Sequence, residues 1–219
     1  MELKTPGCGA VVMGKPTRLV TVFVDYICPF CYVGVARLDA LRATYDLRVN
    51  WCFLEIRPGN SPDTEPVETP PYEPERLRRK MERLARMAEE EGLHFADLTV
   101  STNSHRALLL AEAAKEDGRE PFYRLHRRIY HAYFGEGRNI GREAVLCELA
   151  AECGLGPRTP ERAWSEPRYE ERLARNRLLA MQLDVTDTPT YFFGDTRVAG
   201  AVPTGRLAEA ARVGDVPVH

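Results

Sequence analysis

The chain has 219 residues, of which 44% are hydrophobic and 28% are charged, with a formal net charge of -2. A chain of this size supports one large domain, or one domain that carries an insertion. Acidic and basic residues alternate, as in the segment 76–91, and no cationic block stands alone, so we expect no nucleic acid partner. No apolar stretch approaches the roughly 20 residues of a membrane span, so we expect no membrane partner either.

The chain begins with a segment that we expect to be a flexible tail, residues 1–17. Its first twenty residues contain glycines and prolines but no sustained apolar run typical of a signal peptide. A cytoplasmic protein is therefore expected. The apolar run Leu19–Val24 then predicts a buried strand, and the stretch Val33–Tyr45 predicts a helix with Val35 and Leu38 on one stripe.

Two cysteines lie where this strand gives way to the helix, in the sequence Cys28-Pro29-Phe30-Cys31. Their spacing predicts that the Cys28 sulfur lies at the exposed N-terminal end of the helix and the Cys31 sulfur one turn deeper on the same face. Unpaired backbone N–H groups and the helix dipole favour the Cys28 thiolate, so its pKa should fall below the free value of about 8.5. Cys31 lacks that field and is suited to attack a mixed disulfide. Pro29 lies near the first helical position, where its missing N–H costs nothing.

The alternatives to a redox pair are a zinc site, a structural disulfide and a plain pair of buried thiols. Zinc would need two further ligands at matching spacing, and the remaining cysteines form no second Cys-X-X-Cys. They are Cys8, Cys52, Cys147 and Cys153. A structural disulfide would be unusual in a chain without a signal peptide. The sequence therefore favours a redox pair, with no metal site.

A second strand is predicted at Leu47–Glu55, because Val49, Trp51 and Phe53 alternate with more polar residues. The next stretch, Pro58–Pro74, is rich in proline, glutamate and threonine and is typical of a surface loop or linker.

Helical patterns then continue to about Leu183. The predicted helices are Pro74–Gly92, Ser104–Gly118, Pro121–Gly135 and Arg142–Cys153, followed by a fifth and a sixth that Thr159-Pro160 and Ser165 can cap. In the first of them, Leu77, Met81, Leu84 and Ala88 are expected to face inward.

After the helices, Thr188–Phe193 predicts a strand headed by a proline, and Arg197–Ala199 and Pro203–Arg212 predict a further strand and a last helix. A proline at the first residue of a strand is compatible with an ordinary edge position. The alternative is that the peptide bond between Thr188 and Pro189 is cis.

Together these elements predict an α/β architecture, a thioredoxin fold with a large all-helical insertion between its βαβ and ββα halves. The predicted thioredoxin domain comprises residues 18–57 and 184–219. Residues 58–183 form the linker and the helical insertion, which we expect to be a cap domain because compact domains rarely use such long connections.

The chain resembles the DsbA family of thioredoxin-fold proteins, and within it the FrnE-like branch, which is close to 2-hydroxychromene-2-carboxylate isomerases and kappa-class glutathione transferases. The motifs that carry the resemblance are Asp25-Tyr26-Ile27-Cys28-Pro29-Phe30-Cys31-Tyr32-Val33-Gly34, Asn103-Ser104-His105-Arg106-Ala107, Ala132-Tyr133-Phe134, Thr188-Pro189-Thr190 and Gly200-Ala201-Val202-Pro203. The resemblance covers about residues 18–213.

The resemblance implies that Cys28 is the nucleophile, Cys31 the resolving thiol and Pro189 the cis-proline that shapes the substrate groove. Thr188 would offer backbone hydrogen bonds to an extended peptide or to the cysteinyl part of glutathione, in the manner of an added strand. Pro29 and Phe30 complete the expected substrate contacts.

Three residues near these motifs have open roles. Asp187 stands where the branch often has glycine, which leaves the shape of that loop open. His105 matches a recurrent histidine of the family, and we expect it to be buried and hydrogen-bonded rather than a proton carrier. Asp25 fits either a proton acceptor for Cys31 or a group that caps the end of the strand, and we favour the capping role.

Two functions from different classes are compatible with the sequence. The first is a thiol–disulfide oxidoreductase that exchanges disulfides with protein or small-molecule thiols. The second is a glutathione-dependent isomerase or transferase, which needs one reactive position and gains nothing from Cys31. We expect no cofactor, with glutathione as an alternative substrate or co-substrate, and either a monomer or a homodimer.

The cap is expected to lie beside Cys28, because the chain returns from it just before Pro189. We therefore predict a partly apolar groove between the cap and the thioredoxin core, lined by Tyr130, Tyr133 and Phe134. The alternative for each of these three residues is ordinary core packing.

Overall fold

The structure is a computed structural model that describes residues 14–61, 65–66, 74–96 and 100–214. Residues 1–13 of the predicted flexible tail, which include Cys8, therefore lie outside the described residues. Most of the predicted linker lies outside them as well. Thr17, the last residue of the predicted tail, belongs to the first strand.

The first half of the main sheet is a βαβ unit. Strand β1 (Thr17–Val24) leads into helix α1 (Pro29–Ala40), and strand β2 (Asp46–Phe53) follows after a short 3-10 turn. The two strands pair in parallel along their whole length, from Thr17 opposite Asp46 to Val24 opposite Phe53. Parallel neighbours need a crossover connection, and α1 supplies it.

In its described residues, the segment between the two halves of the sheet contains six α-helices. They are α2 (Pro74–Glu90), α3 (His105–Ala114), α4 (Arg119–Tyr130), α5 (Glu143–Glu152), α6 (Arg158–Ser165) and α7 (Pro167–Gln182). A π-helical turn, His131–Gly135, continues α4. Two short strands, β3 (Glu65–Pro66) and β4 (Val100–Ser101), pair in antiparallel fashion. The segment predicted to be linker and all-helical insertion thus also contains one pair of short strands. The sequence does not predict them, because strands of two residues are too short to leave a periodic pattern.

Strand β5 (Thr190–Phe193), strand β6 (Thr196–Ala199) and helix α8 (Thr204–Val213) form the ββα half. Strand β5 is antiparallel to both β1 and β6, and the sheet order is β2-β1-β5-β6. These elements confirm the predicted thioredoxin topology. Because β1 and β5 run antiparallel side by side, the end of β1 and the start of β5 meet at one edge of the sheet, where Phe23 lies opposite Thr190.

Several helix ends differ from their predicted caps. Ser104 is the N-cap residue of α3, as predicted, but its side chain makes no capping hydrogen bond, and the His105 N–H donates to the Asn103 side chain at 2.6 Å instead. Helix α4 begins at Arg119, directly after Gly118, and not at Pro121. These shifts occur because a neighbouring polar side chain or glycine satisfies the same backbone requirement.

The caps predicted for the last two helices of the insertion are also displaced. Helix α6 begins at Arg158, so Thr159 lies inside its first turn. Ser165 ends α6 and caps nothing, and Glu166 is the N-cap of α7, with Pro167 at the first helical position. Proline is favoured at that position and sets the start of the helix.

The inward face of α2 is rotated from the predicted one. Leu84 and Ala88 are buried as expected, but Met81 is 53% exposed and Met87 is buried instead. Leu84 and Met87 pack with Val33 of α1, so α1 covers the C-terminal part of α2 and leaves the turn with Met81 open.

Helices cover both faces of the main sheet. On one face, Val22, Trp51 and Tyr191 join the large core that includes α1, α3 and α4. On the other face, Phe23 and Cys52 pack against α7. Cys52 therefore lies on the face opposite Trp51, as the alternation predicts, and is nevertheless buried. Among the helices of the described ranges, none is both long and apolar enough to cross a membrane.

Candidate active site

The two cysteines of the Cys-X-X-Cys motif lie at the start of α1. Cys28 is the N-cap residue of this helix, Pro29 occupies its first turn and the Cys31 N–H donates to the Cys28 carbonyl at 2.9 Å. Both residues are free thiols. Cys31 is fully buried, as predicted, but Cys28 is only 6% exposed, so the expectation of an exposed sulfur is wrong.

The surroundings of the two thiols shift their pKa values in opposite directions. The pKa of Cys28 is lowered, chiefly by a hydrogen bond from the Cys31 thiol, with smaller contributions from the side chain of Thr188 and from the Cys31 backbone N–H. Burial raises the pKa of the Cys31 thiol well above its ordinary value, and the hydrogen bond to Cys28 raises it further. The direction for Cys28 agrees with the sequence prediction, although the partner thiol contributes more than the helix terminus.

The segment before β5 closes one side of the redox pair. The Thr188–Pro189 peptide bond is cis, and the Cys28 thiol donates to the Thr188 carbonyl oxygen at 3.3 Å. Pro189 is buried and Thr188 is half-buried. The Pro189 carbonyl accepts a hydrogen bond from the Gly200 N–H at 2.7 Å, which ties this segment to the loop after β6. The structure thus brings Thr188 and Pro189 to Cys28, as the topology predicts.

Asp25 lies between β1 and the redox pair and is fully buried. Its two carboxylate oxygens accept hydrogen bonds from the N–H groups of Ile27 (3.2 Å) and Ile56 (2.7 Å), which agrees with the predicted capping role at the end of the strand. Burial raises the pKa of Asp25 to about 6, although these hydrogen bonds favour the carboxylate and by themselves lower the pKa. The negative charge of Asp25 in turn raises the pKa of Cys28.

Aromatic residues of the insertion pack beneath the motif. The Tyr130 hydroxyl donates to the Asp25 carbonyl at 3.2 Å, and Phe134 stacks on Tyr32, the residue after Cys31, with ring centroids 5.6 Å apart. Tyr130, Tyr133 and Phe134 are all buried. Their alternative interpretation as core residues therefore holds, and they do not line an open groove.

Two surface cavities lie elsewhere. One, of about 550 Å³, is lined by residues of α6 and its surroundings, among them Arg158 and Arg162. The other, of about 480 Å³, is lined by β2 and the start of α4, including Trp51 and Phe122. Neither cavity is lined by Cys28, Cys31 or Pro189.

The remaining predicted substrate contact, Phe30, is half-buried, and the Lys80 ammonium lies 5.4 Å from the centroid of its ring. Lys80 belongs to α2, so this contact brings the insertion next to the motif. Pro29 is also half-buried. Both residues flank Cys28 on α1, which is compatible with substrate contact.

His105 is half-exposed rather than buried, with 35% of its side chain accessible. Its two ring nitrogens lie 2.9 Å from Glu55 and 2.8 Å from Glu170, so it is hydrogen-bonded as predicted. Hydrogen bonds to these carboxylates raise the pKa of His105 to about 9. His105 therefore joins the end of β2, α3 and α7 as a charged link.

Three further cysteines belong to the described residues and lie away from the motif. Burial raises the pKa of Cys52 to about 11, and Cys153 is buried, whereas Cys147 is exposed on α5. All three are free thiols. In the part of the chain that the structure describes, no cluster of three or more His, Cys, Asp or Glu side chains is arranged to hold a metal ion.

The sequence analysis assigned no role to two residues of this region. His126 of α4 is fully buried, and its Nδ1 atom lies 2.8 Å from the hydroxyl of Tyr26; burial lowers its pKa to about 3. Gly34 of α1 faces Pro189 and Tyr191. A glycine in the interior of a predicted helix is itself a signal of close packing, because glycine weakens a helix relative to alanine.

The sheet order, the dithiol at the N-terminus of α1 and the cis-proline beside it define a thioredoxin-fold protein with a Cys-X-X-Cys pair. Residues 19–212 match the DSBA-like thioredoxin domain, and the chain belongs to that family. A curated relative, "Uncharacterized protein YwbO" of Bacillus subtilis (strain 168), is 31% identical over 186 residues, which are 83% of this chain and 90% of that protein.

Solved structures share the fold over nearly the whole chain. The probable DsbA oxidoreductase SCO1869 from Streptomyces coelicolor has a TM-score of 0.80 at 24% identity, covering 92% of this chain and 93% of its own. The cytosolic disulfide reductase DsbM from Pseudomonas aeruginosa, solved with GSH, has a TM-score of 0.63 at 24% identity and covers 90% and 95%. A 2-hydroxychromene-2-carboxylate isomerase has a TM-score of 0.68 at 20% identity and covers 89% and 93%.

Proposed function

We propose that this protein is a thiol–disulfide oxidoreductase in which Cys28 is the nucleophile and Cys31 the resolving thiol. The observation that carries the proposal is the geometry of the pair, two free thiols at the start of α1 with Cys28 at the N-cap and Cys31 fully buried. In agreement with this geometry, the surroundings lower the pKa of Cys28 and raise the pKa of Cys31. A thiol with a lowered pKa attacks disulfides and leaves readily, whereas its partner stays protonated until it is needed.

The reaction proceeds through two exchanges. The Cys28 thiolate attacks one sulfur of the substrate disulfide, a mixed disulfide forms and the other substrate sulfur leaves as a thiolate. Cys31 then loses its proton and attacks the Cys28 sulfur, so that a Cys28–Cys31 disulfide forms and the second substrate thiolate departs. Two electrons pass from the dithiol to the substrate, whose two thiolates take up protons. The same steps in reverse oxidise a dithiol substrate.

Roles for the neighbouring residues follow from their positions. Thr188 and Pro189 border Cys28 on the side of β5, where an extended substrate backbone could pair with the segment that precedes the strand. Pro29 and Phe30 flank Cys28 on α1 and are the further proposed contacts. Disulfides of proteins or small molecules are the proposed substrates. The fold shared with a disulfide reductase solved with GSH supports glutathione as one of them, and the description of that reductase as cytosolic supports a cytoplasmic location.

The test is a set of three single variants assayed with a peptide disulfide and with glutathione disulfide. Cys28→Ser is expected to abolish exchange, and Cys31→Ser to accumulate a mixed disulfide on Cys28 that intact-mass spectrometry detects. Cys147→Ser, which removes an exposed thiol on α5, is the matched control and is expected to exchange at the wild-type rate. Exchange that survives in Cys28→Ser would overturn the proposal.

A glutathione-dependent isomerase or transferase is the second candidate, supported by the fold shared with a 2-hydroxychromene-2-carboxylate isomerase. Such a reaction needs one reactive position. An isomerase activity that is unchanged in Cys31→Ser, together with no disulfide exchange by the wild-type protein, would favour this second candidate.

A further inference from the structure

Gly34 lies on α1 three residues after Cys31 and faces the segment that carries the cis-proline. Residues three apart share one face of a helix, so the position of Gly34 is one turn below Cys31. A Cβ atom placed on Gly34 would lie 2.7 Å from Pro189 Cγ and in still closer contact with the Tyr191 hydroxyl. Carbon atoms do not approach each other so closely without a displacement. The missing side chain therefore lets α1 and the 188–191 segment touch.

The atoms that fill this space cannot move away independently. Tyr191 is fully buried and belongs to the central strand β5, where it pairs with Val22 on one side and Val198 on the other. The ring of Pro189 is rigid, and its carbonyl is bonded to the Gly200 N–H. A side chain on α1 at this position would consequently push the 188–191 segment away from α1 as a unit.

The residue next to Pro189 is the one that contacts the nucleophile. The Thr188 carbonyl lies 3.3 Å from Cys28 Sγ, so a displacement of the segment from α1 opens this contact directly. We infer that Gly34 is a positioning residue, whose lack of a side chain sets the distance between the cis-proline segment and Cys28. The catalytic meaning of this inference rests on the proposed function, whereas the contacts behind it are those of the protein without substrate.

The test compares Gly34→Ala with Gly205→Ala. Gly205 lies on α8, is exposed and has open space around its Cβ position, so its substitution measures the helix-propensity effect alone. The readout is the alkylation rate of Cys28 against pH, followed by peptide mapping. The Thr188 side chain lowers the pKa of Cys28 through a hydrogen bond, so moving Thr188 away from Cys28 is expected to shift the midpoint of Gly34→Ala to higher pH. We expect alkylation at pH 7 to slow by roughly two- to tenfold, the effect of losing one hydrogen bond. Gly205→Ala is expected to match the wild type.

A second substitution checks the proposed contact. Tyr191→Phe removes the hydroxyl that a Cβ on Gly34 would meet, so Gly34→Ala with Tyr191→Phe is expected to recover part of the wild-type profile, whereas Tyr191→Phe alone is expected to leave it unchanged. A folded Gly34→Ala protein with the wild-type midpoint would overturn the inference. If Gly34→Ala does not fold, the double variant decides in the same way. Alkylation requires no substrate, so failure of this inference is distinguishable from an absence of disulfide exchange.

Discussion

At the scale of single residues, the site is a pair of identical thiols made unequal by their positions. Cys28 caps the helix and accepts hydrogen bonds that favour its thiolate, whereas Cys31 is enclosed one turn further and stays protonated. The sequence predicts this asymmetry from spacing alone. It does not predict that Cys28 is nearly as buried as Cys31, because Cys28 contacts a residue distant in sequence, Thr188.

Asp25→Asn is expected to lower the pKa of Cys28, because the Asp25 carboxylate raises it by charge repulsion. The pKa of Asp25 is about 6, so the carboxylate is charged above that pH and the effect is expected there and not well below it. The measurement is the alkylation rate of Cys28 between pH 5 and pH 9. An unchanged or raised midpoint would contradict the prediction. Asparagine keeps only one of the two side-chain oxygens that accept from the N–H groups of Ile27 and Ile56. Because one buried N–H loses its acceptor, we also expect the free energy of unfolding to fall by roughly 1–3 kcal/mol.

At the scale of elements, helix α4 of the insertion contacts the short segment between β1 and α1 that leads to Cys28. Tyr130 of α4 reaches the carbonyl of Asp25, and His126 of the same helix contacts Tyr26. Both contacts hold the chain between β1 and α1, just before Cys28. Residues of the insertion therefore pack against the motif and support it.

Tyr130→Phe is expected to lower the free energy of unfolding by about 0.5–1.5 kcal/mol, because it removes one hydrogen bond to the buried Asp25 carbonyl, which still accepts from the Cys28 N–H. Tyr191→Phe is the matched control. Its hydroxyl is also fully buried, but among the described residues it has no hydrogen-bond partner, so its removal is expected to be neutral or slightly stabilising. Urea unfolding monitored by circular dichroism measures both. Equal losses in the two variants would contradict the assigned hydrogen bond.

The elements also show where sequence reasoning succeeds. The strand, the cysteine motif and the following helix are local features, and the structure has the strand and the motif in the predicted place. The helix begins at Pro29 and ends at Ala40, before the predicted Tyr45. The pairing of β3 with β4, the exposure of Met81 and the close approach of Gly34 to Tyr191 depend on contacts between distant segments, which neither periodicity nor motif spacing records. The cis-proline segment could be associated with Cys28 because the order of strands and helices already indicates the topology.

At the scale of the whole molecule, His105 links three parts of the chain: the end of β2 through Glu55, α3, and α7 through Glu170. Its pKa is about 9 in the folded protein and close to 6.5 in the unfolded chain. The folded state therefore binds the proton more tightly, so this contribution to stability is complete below about pH 6.5 and is lost as the pH rises through 9.

The melting temperatures of the wild type and of His105→Gln are thus expected to differ most near pH 6 and to converge towards pH 10. Titrations that the two proteins share cancel in this difference. With Glu170→Gln as the background, the convergence is expected at lower pH, because one of the two carboxylates that hold the imidazolium is gone. A difference that stays constant from pH 6 to pH 10 would show that His105 acts only through packing.

The central claim is that Cys28 and Cys31 form one reversible dithiol–disulfide pair. Its most direct test is to equilibrate the purified protein in a series of glutathione redox buffers, trap the free thiols by alkylation and map the oxidised cysteines by mass spectrometry. We expect a single two-electron transition confined to the Cys28–Cys31 peptide, with Cys52 and Cys153 still alkylated after denaturation. A protein that keeps both thiols of the motif reduced across the series, or that pairs either of them with another cysteine instead, would contradict the claim.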